Sequence, residues 1–168
     1  QPLGTGGAVA FAARHLAPDA MFLALNGDSF APFNPHLMAK KIAAGADAAI
    51  MAVSVGNAER FGALAFDGQG MLSGFDEKNT TATAALINAG IYLLPASWFP
   101  RNQEIMPGSI ERDYFPRWLE EGKKIAVLTS SGPFIDIGTP ETLAAAPEFI
   151  RQCGFFKNTP FNCLHECD

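Results

Sequence analysis

Four uninterrupted apolar runs of strand length, MFLALN (21–26), DAAIMAVSV (47–55), ALINAGIYLL (85–94) and KIAVLTS (124–130), constrain this chain more than any other feature. A strand that is apolar on both alternating faces must be covered on both, which points to a sheet sandwiched between helices. The stretches between the runs supply those helices. Val9 to Leu16 reads as a short helix ended by Pro18-Asp19, and Asn34-Pro35 caps a helix over HLMAKKIAA that Gly45 closes. Ser109 to Glu121 reads as another, and Thr139-Pro140 opens a last one to about Gln152. ALAF and MLSGF flank DGQG as a hairpin, and PFIDI is one more strand. The expected fold is α/β with three layers: a mostly parallel sheet with an antiparallel insertion, over residues 1–150, followed by a terminal extension at 151–168.

With 168 residues, 48% of them hydrophobic, the chain can bury a core and is not of a disordered class. Twelve Lys and Arg against seventeen Asp and Glu give a net charge of −5, which argues against nucleic acid or an anionic membrane as partner. No run approaches the ~20 apolar residues of a membrane span, and no leader pattern is present, so a cytoplasmic protein is expected. Cys153, Cys163 and Cys167 cluster near the end with His165. Their odd number does not make a disulfide framework, and their spacing lacks the paired Cys-x-x-Cys of structural zinc sites. They read as ordinary thiols on an extension whose Phe155, Phe156, Phe161 and Leu164 pack on the body or on a partner.

In such sheets ligands bind beyond the carboxyl ends of the strands. Asp28 follows an apolar strand by way of Gly27, and Asp136 stands within an otherwise apolar strand in FIDIGTPE. A buried charge requires a partner, and two carboxylates from separate strand ends suit Mg²⁺, which takes its remaining ligands from water and substrate phosphates. In FDEKN, Glu77 suits sugar hydroxyls and Lys78 suits a phosphate, with a surface ion pair as the alternative; the Asn88 amide, in an apolar strand, needs a hydroxyl-rich ligand or a neighbouring backbone. No Gly-x-Ser-x-Gly elbow, paired histidines or Walker pattern is present. The opening QPLGTGGAV is a glycine-rich turn entering a helix without the strand that normally precedes a phosphate loop, so either the loop is something else or the chain begins inside a larger fold.

QPLGTGGAV, LNGDSF, RFGAL, FDEKN, INAGIYLL, SIERDYFP and FIDIGTPE, in this order, resemble the sugar-phosphate nucleotidyltransferase family over nearly all of residues 1–141. Within it the chain looks most like the bacterial D-glycero-D-manno-heptose 1-phosphate guanylyltransferases, and next most like uridylyltransferases for hexose or N-acetylmuramate 1-phosphates. The resemblance implies a Rossmann-like nucleotide-diphospho-sugar transferase sheet, N-terminally truncated, without the family's G-x-G-T-R-L unit. It implies that Gly4, Thr5 and Gly6 border the base, that Asp28 and Asp136 hold Mg²⁺, that Gly62, Glu77 and Asn88 contact the sugar, and that Lys78 meets the sugar phosphate. A sugar 1-phosphate oxygen would attack the α-phosphate of a nucleoside triphosphate, with Asp28, Asp136 and Lys78 carrying catalysis by alignment and charge neutralisation. A homo-oligomer, a nucleotide-sugar-dependent glycosyltransferase and a non-catalytic nucleotide-sugar sensor stay open as alternatives.

Overall fold

The structure, a computed structural model, describes residues 2–56, 63–76, 85–99, 101–102 and 104–153. Gly62, Glu77, Lys78 and most of the terminal extension lie outside the described residues. The elements in chain order are α1 (Gly4–Ala13), β1 (Met21–Leu25), β2 (Ser29–Phe30), α2 (Pro35–Ala43), β3 (Ala48–Val55), β4 (Ala63–Phe66) and β5 (Leu72–Asp76). They continue with β6 (Ala85–Pro95), α3 (Phe115–Glu120), β7 (Ile125–Ser130), β8 (Ile135–Asp136) and α4 (Pro140–Gln152). A π-turn over Ile110–Tyr114 runs directly into α3.

The main sheet has the order β5-β4-β6-β3-β7, with β1 also paired to β6. β1, β3 and β7 share one direction: β3 pairs β7 in parallel, and both β1 and β3 pair β6 antiparallel. The strand β6 therefore runs against the frame around it. An apolar run specifies burial on two faces but says nothing about direction, so this reversal is a property of the fold alone. The β4–β5 hairpin forms as expected, closed by the Asp67 carboxylate, which accepts from the Gln69 and Met71 N–H groups at 2.8 and 2.9 Å.

Side-chain alternation along the central strands builds two cores, one on each face. Ile50, Tyr92, Leu94, Ile125 and Val127 pack under α1 and α3 with Phe115 and Trp118. Met51, Val53, Ile91 and Leu93 pack on the opposite face with Met38 of α2. These are the three layers that the four apolar runs call for.

Other expectations need correction. Along β1 only Phe22 and Ala24 pack inward, while Met21, Leu23 and Leu25 are 38%, 38% and 55% exposed. Among the described residues β1 pairs with β6 alone, and an apolar strand with one free edge is a template for association. Helix α1 starts at Gly4 rather than Val9, taking in glycines that intrinsic preference would leave out. Packing decides: a Cβ on Gly6 would lie 2.3 Å from the Tyr114 ring. The helix expected over Ser109–Glu121 divides into the π-turn and the short α3. The PFIDI strand shrinks to β8, which among the described residues pairs with β2 alone in a separate two-stranded ribbon.

The two long helix caps form as read. Asn34 Oδ1 accepts from the His36 N–H at 3.0 Å, and Thr139 and Thr142 make a reciprocal capping box at the start of α4. From α4, Phe149 stacks edge-on against Phe30 of β2 at 6.4 Å, so this helix anchors the ribbon.

Candidate functional site

A bulge in β6 organises the site. Pairing with β3 slips between Ile50, opposite Tyr92, and Ala52, opposite Asn88, and Gly90 sits in the slip with φ +71°. Glycine is required there twice over, since a Cβ would strain the left-handed backbone and would fall 2.6 Å from the Asn26 side chain. The Gly90 carbonyl accepts from the Asn26 N–H at 2.8 Å, which fixes the chain just as it leaves β1. Bulges re-aim side chains, and this one brings the polar ends of Asn88 and Tyr92 together.

Asn88 Oδ1 accepts from the Gly90 N–H at 2.9 Å, its Nδ2 donates to the Tyr92 hydroxyl at 2.7 Å, and Nδ2 also donates to the Glu111 carboxylate. Glu111 is delivered by the π-turn, which is stitched to α1 by the Ile110 N–H on Thr5 Oγ1 at 2.9 Å. The Gly6 N–H on the Gly108 carbonyl, also 2.9 Å, adds a second stitch. Tyr92 is 1% exposed. Burial drives its phenol far above the ordinary range, the Asn88 bond opposes this, and the negative charges of Glu111 and then Asp28 add to it. The phenol therefore stays protonated, and both carboxylates act on the same hydroxyl.

Beside this network lies a cavity of about 380 Å³ whose wall includes Thr5, Asn26, Gly27, Asp28, Tyr92 and Ile110. Of the residues expected to border a base, Thr5 lines it; Gly4 and Gly6 serve close packing, against Gly108 and Tyr114 respectively. Asp28 occupies the turn after β1, exposed, with its Oδ1 3.4 Å from the Ser29 hydroxyl. Asp136 is half-buried in β8, directly opposite Ser29, and its Oδ1 accepts from the Gly138 N–H at 3.1 Å. The Ile137 N–H donates to the Asp28 carbonyl at 2.8 Å, so Asp28 lies at the entry to the ribbon whose other strand carries Asp136. This corrects the expectation that both stand at strand ends of one sheet: Asp28 follows β1 of the main sheet, and Asp136 belongs to the ribbon.

The donor set fits Mg²⁺ in kind. Two hard carboxylates are available, one in the turn before β2 and one in β8, and among the described residues no group of three or more His, Cys, Asp or Glu gathers into a metal cage. An ion held by one or two carboxylates and completed by waters and phosphates is the usual Mg²⁺ arrangement. Glu111, Tyr92 and Asn26 carry no sequence signal of their own. A glutamate in a first helical turn reads as a favourable dipole contact, and only the bulge and the π-turn bring it to Asn88.

The family model described as "Nucleotidyl transferase" matches residues 1–153. The chain belongs to this family. Over 143 residues it is 31% identical to the mannose-1-phosphate guanylyltransferase catalytic subunit beta of Drosophila melanogaster, covering 84% of this chain and 38% of that one. Over 152 residues it is 32% identical to the mannose-1-phosphate guanylyltransferase of Mycobacterium tuberculosis, covering 89% and 40%. The chain thus spans about two fifths of the length of these relatives. Among solved structures it is similar to HddC from Yersinia pseudotuberculosis, with TM-score 0.75 and 27% identity over 89% of this chain and 64% of that one. HddC complexed with GMP-PN matches with TM-score 0.71 and 25% identity over 92% and 63%. The mixed sheet is accordingly the family's Rossmann-like one. Among the described residues no helix is long and apolar enough to cross a membrane.

Proposed function

We propose that this chain carries the metal-binding and sugar-binding side of a sugar-1-phosphate nucleotidyltransferase, which joins a nucleoside triphosphate and a sugar 1-phosphate into a nucleotide sugar and pyrophosphate. The observation that carries the reading is the β2–β8 ribbon beside the cavity, where the Asp28 carbonyl takes the Ile137 N–H and Asp136 stands opposite Ser29, in a chain matched to the family over residues 1–153. Guanine is the favoured base and a manno-configured hexose or heptose 1-phosphate the favoured acceptor. Both choices draw on the guanylyltransferase names of the relatives and on the GMP-PN complex of HddC.

In this reading Asp28 and Asp136 hold Mg²⁺, which supplies charge neutralisation at the nucleotide's phosphates. Thr5 borders the nucleotide, with Gly4 and Gly6 setting the close approach of α1. Lys78 meets the sugar phosphate, and Gly62, Glu77 and Asn88 serve the sugar. The attacking phosphate oxygen is already anionic at neutral pH, so alignment and charge neutralisation suffice and no protein nucleophile is required.

Incubating the full protein with each nucleoside triphosphate and a panel of mannose, manno-heptose and glucose 1-phosphates tests this by chromatography of the products. The expected result is nucleotide sugar and pyrophosphate in equal amounts, dependent on both substrates and greatest with GTP and a manno sugar. Absence of nucleotide sugar with every pair, together with transfer of sugar from an added nucleotide sugar to an acceptor, would establish a glycosyltransferase instead.

A further inference from the structure

The orientation of the Asn88 amide is dictated by its neighbours. A backbone N–H can only donate, so the Gly90 N–H at 2.9 Å requires Oδ1 on that side and Nδ2 on the other. Both Nδ2 hydrogens are then spent, one on the Tyr92 hydroxyl and one on the Glu111 carboxylate. Asn88 is thereby engaged within the chain at both ends of its amide.

What this leaves over is complementary. The Tyr92 oxygen accepts from Asn88, so its own proton remains to be donated, from a side chain that is 1% exposed yet forms part of the cavity wall. Glu111, half-buried, has carboxylate lone pairs beyond the one that Asn88 uses. A donor and an acceptor joined through one amide match a sugar hydroxyl, which must give one hydrogen bond and take another. The π-turn that carries Glu111 is pinned through Ile110 to Thr5, and both of those residues line the same cavity. Single π-turns recur at functional sites because the extra residue moves one side chain out of helical register.

We propose that Tyr92 and Glu111 form a hydroxyl-recognition pair for the sugar ring, donor and acceptor respectively, with Asn88 as the positioning residue that holds them together. The proposal rests on the nucleotidyltransferase reading, with the sugar ring meeting the nucleotide at the Tyr92 wall of this cavity, and adds which groups read the sugar. Asn88, the one asparagine that the sequence singles out for sugar contact, acts through its two partners.

The test is calorimetric titration of the full protein with mannose 1-phosphate and, separately, with inorganic phosphate, a probe that carries the anion without the ring. The wild type binds the sugar phosphate more tightly than phosphate. In Glu111→Gln and Tyr92→Phe that preference falls by about 10- to 100-fold, the range for losing a hydrogen bond that involves a charged group, while phosphate affinity holds. Asn88→Ala loses the preference too, and Glu111→Asp restores part of it. Should Glu111→Gln fail to fold, Tyr92→Phe, which deletes a single oxygen, gives the reading alone. A preference that survives in both variants, a parallel loss of sugar phosphate and phosphate binding, or a wild type without preference overturns the proposal. A protein that makes no nucleotide sugar yet shows the preference, and loses it in the variants, fails the catalytic reading and supports this one.

Discussion

Asp136→Asn is expected to lower turnover by about 10²- to 10³-fold, the usual cost of deleting a preorganised electrostatic contact to the charge of the transition state. Asparagine keeps an oxygen for the Gly138 N–H, so the turn after β8 and the ribbon pairing opposite Ser29 should persist. Only the charge goes. Asp28→Asn should behave alike, because Asp28 sits one residue before β2 and its carbonyl is tied to the Ile137 N–H of the same ribbon. If both aspartates serve one ion, the double variant should be little worse than either single one, since groups that act as a unit lose their effects together. Raised Mg²⁺ should recover part of the loss in the single variants. Steady-state kinetics across a Mg²⁺ series decides: near-normal turnover in either variant, or losses that multiply, would separate these residues from a shared metal.

Phe115→Ala is expected to cost about 3–5 kcal/mol of stability, the range for truncating a buried aromatic to alanine. Phe115 is fully buried where the π-turn passes into α3, with ring centroids 5.5 Å from Phe75, 5.4 Å from Tyr92 and 5.3 Å from Trp118. Its removal leaves a cavity bounded by three rings, two of them held by other elements, β5 and β6, which cannot all collapse into it. Against a typical total of about 5–15 kcal/mol, that is a large share of what keeps a domain folded. Since Tyr92 leans on this ring, the loss reaches the site as well as the core. Denaturant unfolding should show a lower midpoint at unchanged slope. A shift worth less than about 1 kcal/mol would mean that the core closes over the gap and that Phe115 does not organise it.

What was legible in the sequence was local. The caps at Asn34 and Thr139, the hairpin turn at Asp67 and the two-face burial of β3 each follow from residues within a few positions of one another. Asp28 after one apolar stretch and Asp136 within another were legible as polar positions, but the separate β2–β8 ribbon beside which both fall was not. What was not legible depends on distant partners. Gly6 enters a helix because Tyr114, more than a hundred residues later, needs its space. The reversal of β6, the exposed face of β1 and the meeting of Asn88 with Glu111 all depend on which element lies alongside, and single-residue preferences carry no record of that.

The central claim is that a sugar 1-phosphate attacks the nucleotide directly, with no covalent nucleotidyl group on the protein. Exchange of labelled pyrophosphate into nucleoside triphosphate tests it most directly. With nucleotide sugar present and Mg²⁺ supplied, label should enter the triphosphate as the reaction runs backwards. With triphosphate and labelled pyrophosphate alone, no label should enter. Exchange without any sugar phosphate or nucleotide sugar would require a nucleotidylated side chain and would contradict the account.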